Sequence, residues 1–534
     1  MGGGLLQLVA HGAQDAYLSG NPQITFWKGL FKRHTNFAME PFRVNLTGVP
    51  AWGQKQSVTL ARHADLLYST YLDVILPTTQ VVGGKTRTID WNNEQGRLGY
   101  NLLDYVELEI GGQAIDRLYS EYLYLWDTLT ADANKSYQLY QMVGGGGDSR
   151  RTDGGPMAVN TETADNSDLS GPDRKKVYGY RPAAAKGNVK ATGRPSSSTV
   201  MMIPLPFSYT RNPGAALPLI ALQYHEVKIN ILWNKWQFVT ANFNGVQPPA
   251  PTTAAIYVDY IYLDVDERRR MAQESHEYLI EQVQFNEDKG LAAGANRIDL
   301  TFNHPVKELI WVVQPDRFTN CKIADKQNNS VGTLGSPRPV LQPTAGQQPT
   351  TVLTDSVLGG TSVAANVPAR LTPFTYTYLD QSTDNYAAID STFTQPIFDM
   401  RLQINGQDRL DRRGGDYYNR VQPYQHHSGT MKPQGFDTTA YLNTTHAAIT
   451  DLVTATPQAH RAIYTYSFAL KPEENQPSGT CNFSRIDTAT IVMNMSGNYL
   501  VDENTDNVWN FRVYAINYNI LRVMSGMAGL AYSN

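Results

Sequence analysis

The amino-acid sequence predicts an all-β protein built as two antiparallel β sandwiches in tandem, and three observations carry that reading. Apolar residues recur with period two along the strongly patterned segments, the mark of strands with one face on a core. Glycine-containing turns separate those segments, and Tyr, Gly and Pro are abundant at 31, 42 and 29 residues, a balance suited to strands and turns. Strand–turn units of the first half also recur in the second. At 534 residues the chain holds two β domains of up to about 250 residues, each with a sizeable core.

In chain order, DLLYSTYLDVIL (Asp65 to Leu76) places Leu66, Tyr68, Leu72, Val74 and Leu76 on one face. In VELEI, Val106, Leu108 and Ile110 point one way, Glu107 and Glu109 the other. SEYLYLWDTL (Ser120 to Leu129) reads as a short helix capped by Ser120, with Leu123, Trp126 and Leu129 three apart. Residues 142–198, with GGGG at 144–147, read as a long surface insertion. DERRRMAQESHEYL (Asp266 to Leu279), with Asp266 as cap, sits near the midpoint and predicts a helical connector over 267–279. A second insertion spans 324–369 and a smaller loop 428–458. In MRLQI, Met400, Leu402 and Ile404 point inward and Arg401 and Gln403 outward. FRVYAINYNIL (Phe511 to Leu521) is apolar on both faces, as expected of a strand covered on both sides.

The repetition is specific. LLDYVELEIGGQAIDRL, from Leu102, matches FDMRLQINGQDRLDRR, from Phe398: a strand, a Gly-containing turn before Gln, then an Asp-Arg element. DLLYSTYLDVILP, ending at Pro77, matches HPVKELIWVVQP, ending at Pro315. This predicts a duplication: an N-terminal arm over 1–22, a first sandwich over 23–266, the connector, and a second sandwich over 280–534.

Composition restricts function. A net charge of −4 with 18% charged residues argues against a nucleic-acid coat, which needs a surplus of Lys and Arg. Cys321 and Cys481 form no disulfide framework and suit a reducing compartment. No signal peptide and no apolar run of ~20 residues is expected, and Leu6 stands where myristoylation wants Ser or Thr.

Chemistry-bearing motifs are absent or have a structural reading. His426-His427 is an adjacent pair, so in a strand the two rings face opposite sides. His225-Glu226 and His304 read as hydrogen-bonded core or interface residues, and neither cysteine has the CxxC partner zinc would want. There is no G-x-S-x-G elbow, and GGGGD at 144–148 lacks the Lys-Ser/Thr of a phosphate loop. Glu473-Glu474 reads as a solvated turn. The basic runs LFKRH (Leu30 to His34) and ERRRM (Glu267 to Met271) read as caps, inter-sandwich ion pairs or inner-face contacts. Six N-x-S/T sequons occur, at Asn45, Asn134, Asn328, Asn443, Asn482 and Asn494; Asn328 and Asn443, in predicted loops, are the candidates for glycosylation. No catalytic, metal or cofactor-binding residue is predicted.

Long collinear blocks then resemble the double-jelly-roll major capsid proteins of nucleocytoplasmic large DNA viruses. They are GAQDAYLSGNPQITFWKGLFKRHTNFAME (Gly12 to Glu40), RNPGAALPLIALQYHEVKINI (Arg211 to Ile231), DVDERRRMAQESHEYLIEQVQ (Asp264 to Gln284), FNHPVKELIWVVQ (Phe302 to Gln314), VQPYQHH (Val421 to His427), FALKPEENQPSGTCNFSRID (Phe468 to Asp487) and the C-terminal NYNILRVMSGMAGLAYSN. Within them, Asn212, Pro213, His225, Glu226, Asn303, His304, Pro305, Asn482, Ser484, Arg485 and Asp487 stand as family-motif structural residues. The resemblance implies two eight-stranded jelly rolls per subunit, a homotrimeric pseudo-hexagonal capsomer tiling an icosahedral shell, tower loops from the insertions, and assembly in the host cytoplasm. It implies partners among neighbouring capsomers, minor capsid and penton proteins, and an inner membrane layer reached by the N-terminal arm, with no direct nucleic-acid contact. A scaffold protein of an immature virion shares this fold and is separated by absence from mature virions. A carbohydrate-binding or cupin-like enzyme would need clustered His and carboxylates or stacked aromatics in a cleft, a pattern the sequence does not offer.

Overall fold

The structure, a computed structural model, describes residues 3–144, 199–315, 396–429, 462–495 and 509–532, apart from 28, 30, 83–84, 90, 92–96, 133–134, 136–137, 140–141, 241–246 and 293, together with Phe374. Most of the insertion at 142–198, all of 324–369 and most of the 428–458 loop lie outside the described residues, as do Cys321 and the sequons at Asn134, Asn328 and Asn443.

Sixteen principal strands build four antiparallel sheets. The first half contributes β1 (Phe37–Asn45), β2 (Lys55–Leu60), β3 (Leu66–Leu76), β4 (Leu103–Ile110), β5 (Gln113–Tyr119), β6 (Thr199–Pro204), β7 (Val227–Trp233) and β8 (Thr253–Leu263). They form two sheets in the orders β1-β8-β3-β6 and β2-β7-β4-β5. The second half contributes β9 (His276–Leu291), β10 (Gly294–Leu300), β11 (Pro305–Pro315), β12 (Ile397–Ile404), β13 (Gln407–Asp408), β14 (Ile463–Ser467), β15 (Ala489–Met495) and β16 (Trp509–Met524). Their sheet orders are β9-β16-β11-β14 and β10-β15-β12-β13. Adding eight to each strand number of the first half gives the second, so the two halves share one jelly-roll connectivity and the duplication is topological as well as sequential. Among these sixteen strands only β4–β5 and β12–β13 are sequence neighbours within a sheet. Both are closed by the GQ turns: Gly111 and Gly112 have φ +59° and +85°, Asn405 and Gly406 +51° and +75°. Two consecutive left-handed residues are what a two-residue hairpin requires.

The repetition extends to features that the sequence pattern did not reveal. Just before β7 a two-residue strand, Leu217–Pro218, pairs with the start of β3, and a 3-10 turn, Leu219–Ala221, follows. Just before β15, Cys481–Asn482 pairs with the start of β11, and the turn Phe483–Arg485 follows. The paired proline-terminated segments are equivalent strands, but their inward faces are out of step at the shared proline. Leu72, Val74 and Leu76 line the first core, whereas Trp311 lines the second, packed on Tyr464 and Tyr418.

The facing of β3 differs from a strict alternation. Its pairing with β8 shifts between Val258 and Tyr260, so a bulge reverses the parity of the residues before it. Leu67, fully buried, therefore joins Leu72, Val74 and Leu76 in the main core. Leu66 and Tyr68, expected on that face, instead join a small separate cluster with Ala216 and Ile261. VELEI behaves as its alternation predicts, with Val106, Leu108 and Ile110 at 4% exposure or less. Glu107 points away from that core yet is buried, because Arg117, Lys55 and Asn230 close over it.

Three helices matter. The arm begins with α1 (Gly3–Val9), which buries no residue. α2 (Ser120–Thr130) follows β5. Ser120 is not its cap: it is the first helical residue, and its hydroxyl donates to the Tyr100 carbonyl at 2.6 Å. α3 (Val265–Gln273) joins the halves. Its cap is Asp264, which has extended backbone and accepts from the Val265 N–H; Asp266 lies in the first turn. The connector helix therefore starts earlier and ends sooner than expected, since His276–Leu279 already pair with β16 as strand.

Candidate functional site: the seam between the two sandwiches

The hydrophobic core is one continuous cluster that runs through both sandwiches. The seam is made where the edge of the first sandwich formed by β5, α2 and the segment after β6 lies on the outward face of β9, β16 and β11. Aromatic rings fill its centre: Tyr119 packs on Phe285 at 4.8 Å between ring centres, and Tyr514 sits 5.2 Å from Phe285 and 5.9 Å from Tyr122. This explains why β16 is apolar on both faces. One covers its own sandwich's core and the other is sealed by the first sandwich.

Buried ions flank the rings. Glu121 of α2 takes two hydrogen bonds from Arg512, at 2.6 and 2.7 Å, and a third from the Tyr514 hydroxyl at 2.7 Å. Glu281 of β9 binds Arg211 at 2.5 Å and Lys307 at 2.6 Å. Arg211 also donates to the Tyr122 hydroxyl and stacks over Trp126 at 4.2 Å. Burial pulls the Lys307 ammonium down, and the Glu281 carboxylate opposes that pull. Asp116 of β5 accepts from the Val283 N–H at 3.0 Å, and Gln282 donates to the Ile115 carbonyl. Burial pushes the Asp116 carboxyl up to about 7, against the opposing hydrogen bonds from Val283 and Arg117.

At one end of the seam His427 lies between two carboxylates, its Nδ1 3.0 Å from Glu473 and its Nε2 against Glu308. Carboxylates in this arrangement only accept, so both ring nitrogens carry protons and the ring is a cation. Burial alone would lower its pKa; Glu308 and Glu473 outweigh that and lift it to about 9. The next two residues reach the first sandwich: Ser428 Oγ lies 3.4 Å from the Thr130 carbonyl, and the Gly429 N–H donates to the Leu129 carbonyl at 2.7 Å. A Cβ on Gly429 would overlap that carbonyl. The histidine pair thus ends a short helix, Gln422–His426, rather than lying in a strand. Glu473 is drawn into the structure by His427 and Ser428 rather than solvated; only Glu474 stays exposed, beside Lys471.

At the other end His225 places Nδ1 3.0 Å from the carbonyl oxygen and 3.1 Å from the N–H nitrogen of Ala528, and Tyr224 N–H donates to the Gly526 carbonyl. His225 therefore joins the first sandwich to the C-terminal hairpin that β16 makes with Met527–Leu530. Its ring fills the space a Cβ on Gly111 would need.

The remaining motif residues fall in three places. Asn212 caps the 3-10 turn begun by Pro213, accepting from Gly214 N–H at 2.9 Å. Glu226 accepts from Gly111 N–H through its carbonyl and pairs at the surface with Lys228. Two blocks far apart in sequence meet at the start of β11. The backbone of His304, at φ +65°, donates its N–H to Ser484 Oγ at 2.7 Å and accepts from Phe483 N–H through its carbonyl. Pro305 pairs with Asn482, whose side chain accepts from Ser484 N–H. Asn303 is pinned on both backbone groups by Gln284. Arg485 is exposed at the end of its turn, and Asp487 N–H donates to the Asn405 side chain. The basic run at the connector pairs Arg268 with buried Asp65 at 2.9 Å, an ion pair to the first sandwich. In the other run Lys32, Arg33 and His34 are exposed.

Among the described residues no three His, Cys, Asp or Glu side chains gather closely enough to hold a metal ion, and no helix is long and apolar enough to cross a membrane. A shallow open depression lined by Thr79, Gln80, Val81, Gln247 and Pro249 holds no ionisable group. The ionised clusters instead join one sandwich to the other.

Residues 25–264 match the family model for the major capsid protein N-terminus, and residues 267–442 and 439–529 match that for the large eukaryotic DNA virus major capsid protein. The chain belongs to this family of viral major capsid proteins. It is 39% identical to the major capsid protein of Phaeocystis pouchetii virus and 34% identical to that of Paramecium bursaria Chlorella virus 1, in each case over the whole of both chains. A solved PBCV-1 virus capsid chain superposes with a TM-score of 0.61 at 29% identity, covering 96% of this chain and 100% of that one. This capsid protein is a structural component of the virion shell and not an enzyme. Its ion clusters are read accordingly, as fasteners between two jelly rolls. Sequence pattern missed nearly all of them. The available signal was charge inside strands otherwise apolar on both faces: Lys307 in PVKELIWVV and Arg512 in FRVYAI, since Lys and Arg are almost never fully buried without partners.

Proposed function

We propose that this capsid protein works as a homotrimer whose six jelly rolls form a pseudo-hexagonal tile of an icosahedral shell. The observation that carries the reading is the shared strand order of the two halves combined with an ion-paired, aromatic-packed seam. A rigid subunit with two near-equivalent lobes becomes a six-lobed ring when three copies close with cyclic symmetry. The lobes correspond to residues 23–266 and 280–534. The exposed apolar side chains of the arm, among them Leu5, Leu6, Leu8 and Val9, support contact with minor capsid or penton proteins or an inner membrane layer beneath the tile. A net charge of −4 gives no support to direct nucleic-acid binding. Assembly in the host cytoplasm accords with a chain holding only two cysteines. Light scattering on the purified chain tests the trimer: a mass three times 59.4 kDa is expected, and a persistent monomer would overturn it. Detection in mature virions separates a shell tile from an immature-virion scaffold, which would be lost on maturation.

A further inference from the structure

Two basic runs stand out in the sequence, Lys32-Arg33-His34 and Arg268-Arg269-Arg270. The second lies in α3, where Arg268 pairs with buried Asp65 and Arg270 with Glu274. The first is unspent. Lys32 and Arg33 have no ion-pair partner among the described residues. Residues 31–36 are all exposed and belong to no helix, strand or turn.

Thr35 follows that run directly. It is the single Ser or Thr in the chain with Lys or Arg at both the second and the third position before it. Its hydroxyl makes no hydrogen bond among the described residues; its carbonyl accepts from the His34 ring at 2.8 Å. Other hydroxyls are held: Ser19 Oγ donates to the Asp15 carbonyl at 2.7 Å, and Ser428 Oγ bonds Glu473. β1 begins two residues later, where Phe37 pairs with Leu263. Thr35 therefore sits at the root of the arm, on chain that an enzyme can take up without breaking any strand pairing.

Charge gives the position a use. Residues 1–36 hold Lys28, Lys32 and Arg33 against Asp15, a net +2 in a chain of net −4. A phosphate brings about −1.5 to −2 near neutral pH, so a single one on Thr35 cancels the arm's net charge. Its oxygens also accept charge-assisted hydrogen bonds from Lys32 and Arg33 beside it.

We propose that Thr35 is a phosphorylation site for a Ser/Thr kinase with an acidic substrate groove. In extended chain the two cations stand roughly 10 and 7 Å before the hydroxyl, at about 3.3 Å per residue. Carboxylates lining a kinase groove read such a charge pattern. The Thr35 hydroxyl attacks the γ-phosphorus of a magnesium-bound nucleoside triphosphate. The new O–P bond forms as the bond to the β-phosphate oxygen breaks, the nucleoside diphosphate leaves, and the hydroxyl proton passes to the kinase's catalytic aspartate. The run in α3 offers no such substrate: its arginines are helical, two are paired, and the next hydroxyl after Arg270 is Ser275. Neither the site nor its effect on the arm's charge depends on the trimer.

The full chain is incubated with magnesium ATP and either a basophilic or an acid-directed Ser/Thr kinase, and phosphate is mapped by peptide mass spectrometry. Wild type, Thr35→Ser, Thr35→Ala and Arg33→Ala are first checked for the same thermal transition, which changes at these exposed positions should not move. The basophilic kinase should phosphorylate residue 35 in wild type and in Thr35→Ser, and leave it bare in Thr35→Ala. Arg33→Ala should slow the reaction at Thr35 by about tenfold or more, through loss of a charge-assisted contact. The acid-directed kinase should leave Thr35 unmodified. A wild type that takes no phosphate on Thr35 from the basophilic kinase would overturn the site. Undiminished uptake by Arg33→Ala, or equal uptake from the acid-directed kinase, would overturn the role of the basic run in selecting it.

Discussion

His427 makes the seam sensitive to alkali. Its pKa rises from an ordinary 6.5 to about 9 on folding. The folded state therefore holds a proton that the unfolded chain releases between those values, and stability falls as pH rises across that window. The contribution is complete below about 6.5 and gone above about 9. At about 1.4 kcal/mol for each tenfold change in proton affinity, it amounts to roughly 3 kcal/mol. His427→Gln keeps a side chain of similar reach but removes the charge. Urea unfolding of both proteins should be followed from pH 6 to pH 10. The stability gap between wild type and variant should narrow by roughly 3 kcal/mol over that range, and Ser428 and Gly429 should lose amide protection as it narrows. A gap that stays constant with pH would refute the reasoning, since His427 would then not bind its extra proton in the folded protein.

Other substitutions probe the remaining links. Leu108→Ala empties a buried position in the first core and should cost about 2–5 kcal/mol in a denaturant titration, far more than a deletion within the surface insertion that the sequence predicts over 142–198, because loop closure depends weakly on length. Glu121→Ala leaves Arg512 buried without its carboxylate, and calorimetry should show a loss of about 3–5 kcal/mol. Gly429→Ala should separate the segment after His427 from α2, seen as faster proteolysis there with both jelly-roll cores intact. Asp116, with a carboxyl raised to about 7, holds a proton in the folded state that the unfolded chain has lost. Stability should fall as pH rises from about 4 to 7, and Asp116→Asn should flatten that slope.

Sequence pattern was sufficient where one physical rule decided the outcome. Alternation placed Val106, Leu108 and Ile110 correctly because a hairpin turn fixes their register and the bulge in that hairpin puts its extra residue, Ile115, on the partner strand β5 rather than on β4. It failed for Leu66 and Tyr68, where a one-residue bulge in β3 reverses every side chain before it, and a bulge leaves no mark in apolar periodicity. The duplication was legible at the GQ turns, since two consecutive positive-φ residues demand Gly or Asn. It was not legible in the short strands Leu217–Pro218 and Cys481–Asn482, whose pairing is set by tertiary contact. The seam was the least visible part. Glu121, Arg211, Glu281, Lys307 and Arg512 lie on five separate elements, and only the docking of the two sandwiches brings them together. The solvated reading of Glu473 failed for the same reason, because its partner His427 is 46 residues away.

Electron cryo-microscopy of the purified assembly tests the central claim most directly. The account predicts a threefold particle with six similar lobes, two from each chain, each resolving into a jelly roll with the strand order described above. A particle with three single lobes, or one in which the two halves of a chain differ in strand order, would contradict it.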